Sequence, residues 1–223
     1  MDVQEVGDEY AQIFLQQKRV LERARKRKGQ RPKDWRPREE MYMSFMMAVM
    51  ATSLRKQDNH MIHTSFVPPS YLPCNTSLAE LRSIRIQDLQ LETHHRGNYL
   101  MVRAITPPNR MTGILILVED ESEHVVVLQI YQQDDEAIRP ANEIFNVGTV
   151  MILKEPFFKV MASGEYGLRV DHLSDIIEID EHDPRRPKQW CARILDAERS
   201  VESLKRIGNE AVNAGKYWTA ISL

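Results

Sequence analysis

From Asn98 to His172 the apolar residues fall into five short runs, and nothing else restricts the fold of this chain as strongly. The runs are "NYLMVRAITPP" (Asn98–Pro108), "MTGILILVED" (Met111–Asp120), "HVVVLQIYQQ" (His124–Gln133), "TVMILKEPFFKVM" (Thr149–Met161) and "YGLRVDH" (Tyr166–His172). They are of strand length and rich in Val, Ile, Leu and Tyr, which suit a pleated surface. Pro107-Pro108-Asn109 separates the first from the second, and Asp120-Glu121-Ser122 the second from the third. Ser163-Gly164 forms a hairpin tip between the last two. Pro140–Val147 reads as a short helix stopped at Gly148. Ile176–Ile179 prolongs the sheet. Strand, strand, strand, short helix, strand, strand is the order of an OB-like five-stranded Greek-key barrel, whose closure hides strand edges.

The flanks read as helical. Residues 3–28 lack Pro, and Val6, Tyr10, Ile13, Phe14, Val20 and Leu21 recur at roughly helical spacing. "GQRPKDWRP" ends that helix, and Pro37 is placed to open a second, Met-rich helix running to about Arg55. Its Met side chains suit packing on an irregular partner surface. The expected fold class is α+β: N-terminal helices, a small OB-like barrel and a C-terminal helical hairpin. The expected divisions are a basic, amphipathic helical region over 1–56, a linker over 57–80 and the barrel over 81–180. A second linker over 181–197 and a repeat-like segment over 198–223 complete them.

The net charge of −2 conceals a split. Residues 18–38 hold eleven basic and two acidic groups, whereas 81–180 hold nine basic and sixteen acidic. Arg25, Lys26, Arg27, Lys28, Arg31 and Lys33 form a candidate nucleic-acid or nuclear-import patch. Two distant cysteines fit a reducing compartment. "MDVQEVGDEY" carries four acids and no basic residue, unlike a signal peptide. The apolar run Met41–Leu54 is too short to span a bilayer. These features suggest an intracellular chain, cytoplasmic or nuclear, with no membrane contact.

The last stretch, "SLKRIGNEAVNAGKYWTAISL", follows the spacing of a tetratricopeptide unit. With Gly208 at repeat position eight, Leu204, Ile207, Ala211, Gly215, Tyr217 and Ala220 fall on signature positions. Small residues there let two helices approach closely. An ordinary amphipathic hairpin is the competing reading. The unit stops two turns into its second helix, and such arrays need about three units for stability. The chain is therefore expected to be a fragment.

"HHRGNYL", "ITPPNRMT", "LKEPFFKVM" and "YGLRVDH", within Asp88–Glu121 and Val147–Ile176, resemble the N-terminal region of fungal proteins that join TPR repeats to a SET domain. The resemblance covers residues 81–223 well and 1–80 loosely. SET domains transfer methyl groups from S-adenosylmethionine to protein lysines. No SET motif occurs here, so the resemblance implies a docking or regulatory region with a protein partner. It carries over no catalytic residue, no cofactor and no small-molecule substrate.

Other constellations are weak. Asp171, His172, Ser174 and Asp175 are triad residue types without a nucleophile elbow. His60, His63 and Cys74 lack a second ligand pair for zinc. His94-His95-Arg96-Gly97 reads as a surface turn. The chain by itself is expected not to be an enzyme and to hold no metal. The alternative is a module binding single-stranded nucleic acid. Phe157, Phe158, Tyr166 and Arg169 would present a barrel face, and the basic arm would offset the acidic barrel.

Overall fold

A computed structural model describes residues 3–55, 69–133, 138–161, 163–191 and 201–213. Its architecture is α+β, with one ten-stranded sheet and four α-helices among the described residues. The central strands are β3 (Asn98–Ala104), β5 (Ile114–Glu119), β6 (Val125–Ile130), β7 (Val150–Lys154), β8 (Phe157–Val160) and β9 (Tyr166–Val170). Short strands β1 (Arg82–Ser83), β2 (Thr93–His94) and β4 (Asn109–Arg110) pair with β3, β8 and β5. The fourth apolar run is thus two strands. Glu155, at φ +46°, breaks it, and Pro156 follows without an amide hydrogen.

That break decides the topology. β3 pairs antiparallel with β5, β5 with β6, and β6 parallel with β9. β9 then pairs antiparallel with β8, while β7 returns to β3. The ladder thus begins and ends on one continuous stretch of chain, bent at Glu155, so the sheet curls back on itself. The short helix α3 (Ala141–Ile144) lies between the third and fourth runs, and β10 (Ile176–Ile179) adds to the free side of β7. The helix is shorter than the Pro140–Val147 expectation because Phe145 is already extended.

The near-continuous apolar runs have a physical cause: both faces of these strands are covered. On the inner face Ile114, Ile116 and Val118 of β5 meet Val126, Leu128 and Ile130 of β6. On the outer face Leu117, Val125 and Val127 pack against Met41 and Phe45 of helix α2 (Arg38–Arg55). Burying each of those α2 side chains contributes roughly 1.5–3 kcal/mol. A second outer patch, Val150, Ile152 and Ile179, is closed by Trp190.

Helix α2 begins beside Pro37, whose carbonyl accepts the Met41 amide at 3.0 Å. Its Met side chains divide: Met41 is buried, whereas Met43, Met47 and Met50 are exposed. Helix α1 (Val3–Lys26) sends Ala24 into the inner core, with Val20 against it. The chain then turns at Gly29, where φ is +78°. Its amide donates to Leu91 O at 2.8 Å, and the Leu91 amide donates to Gln30 O at 2.9 Å. These two bonds tie the basic segment to the turn that leads into β2. Helix α4 (Val201–Asn213) closes the described chain. No helix among the described residues is long and apolar enough to cross a membrane.

Candidate functional site

The β8–β9 hairpin holds all four barrel-face candidates, and its register separates them. Phe158 pairs with Leu168 and Val160 with Tyr166, whereas Phe157 pairs with Arg169 and Lys159 with Gly167. Because side chains alternate along a strand, Phe158 and Tyr166 share one face and Phe157 and Arg169 the other. The four therefore do not form a single platform. Phe158 is 0% exposed and Arg169 only 3%. Neither is open to a strand of nucleic acid, which corrects the expectation for those two residues.

On the inner side, the loop after α1 reaches the hairpin. Trp35 stacks on Phe158, ring centroids 5.8 Å apart, and meets Tyr166 edge-on at 5.7 Å. The Arg27 guanidinium lies over the Tyr166 ring, 5.8 Å from its centre. The Tyr166 hydroxyl donates to Asp34 at 2.6 Å, which holds the Asp34 carboxyl below its ordinary range. Burial in turn pushes the Tyr166 phenol up. Arg25, Lys26, Lys28 and Lys33 are exposed, and Arg31 pairs with Asp88 at 3.0 Å. A hollow of about 570 Å³ opens between Arg27, Gln30, Arg31, Lys33 and Asp34. Arg31 also lines a wider hollow with Arg85, Gln87, Gln90 and Asn98. The fold thus joins the basic patch to the half-buried Tyr166 end of the hairpin.

On the outer side, residues 69–76 form a strap without regular secondary structure that runs from the hairpin to Lys154 and Asp175. Arg169 is clamped by Asp171, Nε to Oδ1 at 2.6 Å and Nη2 to Oδ2 at 2.8 Å, and its guanidinium lies 5.1 Å from the centre of the Tyr131 ring. Tyr71 sits among His94, His172 and Phe157 at centroid separations of 4.5, 5.5 and 6.3 Å. Burial pushes its phenol far above the ordinary value and lowers His94. The triad-like residues serve this contact. Asp171 accepts the Tyr71 amide, His172 Nε2 meets the Tyr71 carbonyl, and Ser174 is exposed. His94, expected at a surface turn, belongs to the same ring cluster. Its neighbour His95 is buried, with Nε2 accepting the Gln90 amide at 3.0 Å and Nδ1 meeting Pro156 O at 3.1 Å.

A second buried charge lies away from the hairpin, at the end of β5. Glu119 binds Arg103 and, at 2.9 Å, Arg38. The Arg103 guanidinium also lies 5.4 Å from the centre of the Trp190 ring.

Sequence reasoning missed Trp35 and Tyr71, although both carried a signal. Trp35 is an isolated aromatic between basic residues and Pro37 in "KDWRP", and Tyr71 stands between prolines in "PPSYLP". Prolines hold a segment extended and deny it ladder bonds. Among the described residues, no group of three or more His, Cys, Asp or Glu is placed to hold a metal. His60 and His63 lie outside them. Leu204, Ile207, Gly208 and Ala211 fall on α4, while Gly215, Tyr217 and Ala220 lie outside the described residues.

Over 226 aligned residues the chain is 41% identical to a protein of Gibberella zeae described as a methyltransferase. The match covers 100% of this chain and 29% of that protein, so the chain spans less than a third of its relative. No family model matches the chain. Among solved structures it is similar to Schizosaccharomyces pombe Pot1pC bound to single-stranded DNA. The TM-score is 0.36 at 12% identity, covering 46% of this chain and 90% of that one. At that score the likeness does not say what this sheet binds. The methyltransferase match overturns the expectation that the chain is no enzyme. That expectation rested on missing motifs, whereas the chain is similar along its whole length to part of a protein described as a methyltransferase.

Proposed function

We propose that this chain belongs to a larger methyltransferase and serves as its protein-docking and regulatory region. The observation that carries this is the 41% identity along the full chain to a methyltransferase. The finer reading is a TPR- and SET-containing protein-lysine methyltransferase. The spacing of Leu204, Ile207, Gly208 and Ala211 along α4 supports it, as do the "LKEPFFKVM" and "YGLRVDH" stretches. The test uses the full-length protein with S-adenosylmethionine and histones. Methyl groups should appear on lysine. Charge-neutral substitution of Arg27, Arg31 and Lys33 should raise the KM for protein substrate with little change in kcat. Absence of any methyl transfer to protein sinks the reading.

A second reading has its own support. The basic loop, Trp35 and Tyr166 are brought together beside a sheet that curls back on itself. A cationic track beside half-buried aromatic rings is similar to the way OB-type barrels hold single strands. A fluorescent single-stranded oligonucleotide should then bind at low salt and be released as salt rises. Replacing Arg27, Lys28 and Lys33 by Ala should weaken it, and no binding at low salt rejects the reading.

A further inference from the structure

The strap over the outer face of the hairpin has the character of a bound peptide. Among the described residues, no backbone ladder bond joins 69–76 to the sheet. None of 69–77 belongs to an apolar core cluster, Leu72 is 80% exposed, and Cys74 alone is buried. Side chains of the barrel hold the strap instead, and they hold its backbone. Arg169 donates to Pro69 O at 3.3 Å. Asp171 accepts the Tyr71 amide at 3.2 Å, and His172 meets the Tyr71 carbonyl. Asp175 accepts the Cys74 amide at 2.9 Å, and Lys154 donates to Cys74 O at 3.2 Å. Recognition through five backbone groups tolerates many sequences.

One side chain of the strap is read closely. The Tyr71 ring fills the space between His94, Phe157 and His172. Its hydroxyl accepts the Asp171 amide at 3.1 Å and lies 3.4 Å from Arg169 O. The groove beneath also has unused capacity. Asp175 is 1% exposed, and its Oδ2 has no hydrogen-bond partner among the described residues. A buried carboxylate oxygen without a donor is costly, so a ligand that supplies one gains affinity over the strap.

We infer that this outer face is a docking groove for an extended, tyrosine-bearing peptide, and that residues 69–76 occupy it as a displaceable internal ligand. A partner peptide would place its tyrosine where Tyr71 sits and a hydrogen-bond donor against Asp175. The inference is independent of methyl transfer and of the basic loop, which lies on the opposite face of the hairpin.

The test is direct binding of a fluorescent peptide with the sequence of residues 69–76, Ser replacing Cys. Wild type should bind it weakly, because the tethered strap competes at an effective concentration of about millimolar. Tyr71→Ala weakens the strap and should bind the same peptide at least about tenfold more tightly. A peptide with Ala for Tyr should bind neither protein. A folded Tyr71→Ala chain that binds no better than wild type overturns the inference. Should that variant fail to fold, amide exchange in wild type decides the matter. The Tyr71 and Cys74 amides should exchange far faster than those of β5 and β6, reporting local opening. Exchange of all of them at one common rate refutes a displaceable strap.

Discussion

The two faces of the β8–β9 hairpin are covered by different means. On the inner face Phe158, Val160 and Leu168 join the apolar core, with Trp35 and Tyr166 against it. On the outer face Phe157 and Arg169 lie beneath a strap held by hydrogen bonds to Asp171, His172 and Asp175. The inner cover is mainly apolar packing, with the Tyr166 hydroxyl bonded to Asp34 at its rim. The outer cover is directional, polar and dependent on pairing. A single hairpin can therefore anchor the fold with one face and offer recognition with the other, since alternation keeps the two sets of side chains apart.

The largest expected effect tests the inner face. Phe158→Ala should destabilise the chain by about 3–5 kcal/mol, because it opens a cavity in packed surroundings. Phe157→Ala, half-buried beside Tyr71, opens no enclosed cavity and should cost about 1 kcal/mol, from the apolar area it returns to water. Urea unfolding with matched m-values measures both. Equal losses would mean that the two faces are packed alike.

The next effect tests pairing on the outer face. Asp171→Ala leaves the Arg169 guanidinium buried without its bidentate partner and should cost about 3 kcal/mol. Tyr71→Phe removes only the hydroxyl that meets the Asp171 amide and should cost about 1 kcal/mol. Thermal unfolding of the two variants separates them. If Tyr71→Phe is the more damaging, the strap is fixed by its hydroxyl and not by the charge pair beneath it.

Much of this fold was legible in the sequence. The five apolar runs, the turn chemistry at Ser163-Gly164 and the short helix before Gly148 all depend on local residues. The split of the fourth run was not, because the positive φ at Glu155 reflects a long-range demand. Glu155 accepts the Gly97 amide at 3.0 Å and pairs with Arg96. The assignment of site residues suffered for the same reason. Phe157, Phe158, Tyr166 and Arg169 are the residue types of a binding face, but whether they share a face depends on register and on what covers each side. The polar strap residues carry no periodic signal, so their partners Asp171, His172 and Asp175 resembled an idle triad. The basic patch was visible as charge alone. That Gly29 and Gln30 bond to Leu91, bringing Arg27 over Tyr166, could not be read from spacing.

The smallest effect involves both faces together. His95 clamps the root of the hairpin: it meets the carbonyl of Pro156, next to Phe157, and accepts the Gln90 amide. Those two bonds require a neutral ring with the proton on Nδ1. Burial holds its pKa below the ordinary value, and His94 is lowered by burial and then by Arg96. Both groups therefore bind a proton more readily in the unfolded chain. Their stabilisation is complete above about pH 6.5, the ordinary histidine value, and declines as pH falls toward the lowered folded values. Asp34 and Glu155 are also lowered, but they lose their contribution only further down, in the carboxylate range. Stability measured between about pH 7 and 5 should thus fall in wild type and fall less steeply in His95→Gln. An unchanged slope in that variant would remove His95 as the clamp. A slope that changes for the strap amides but not for Phe158 unfolding would show that the outer face opens first and alone.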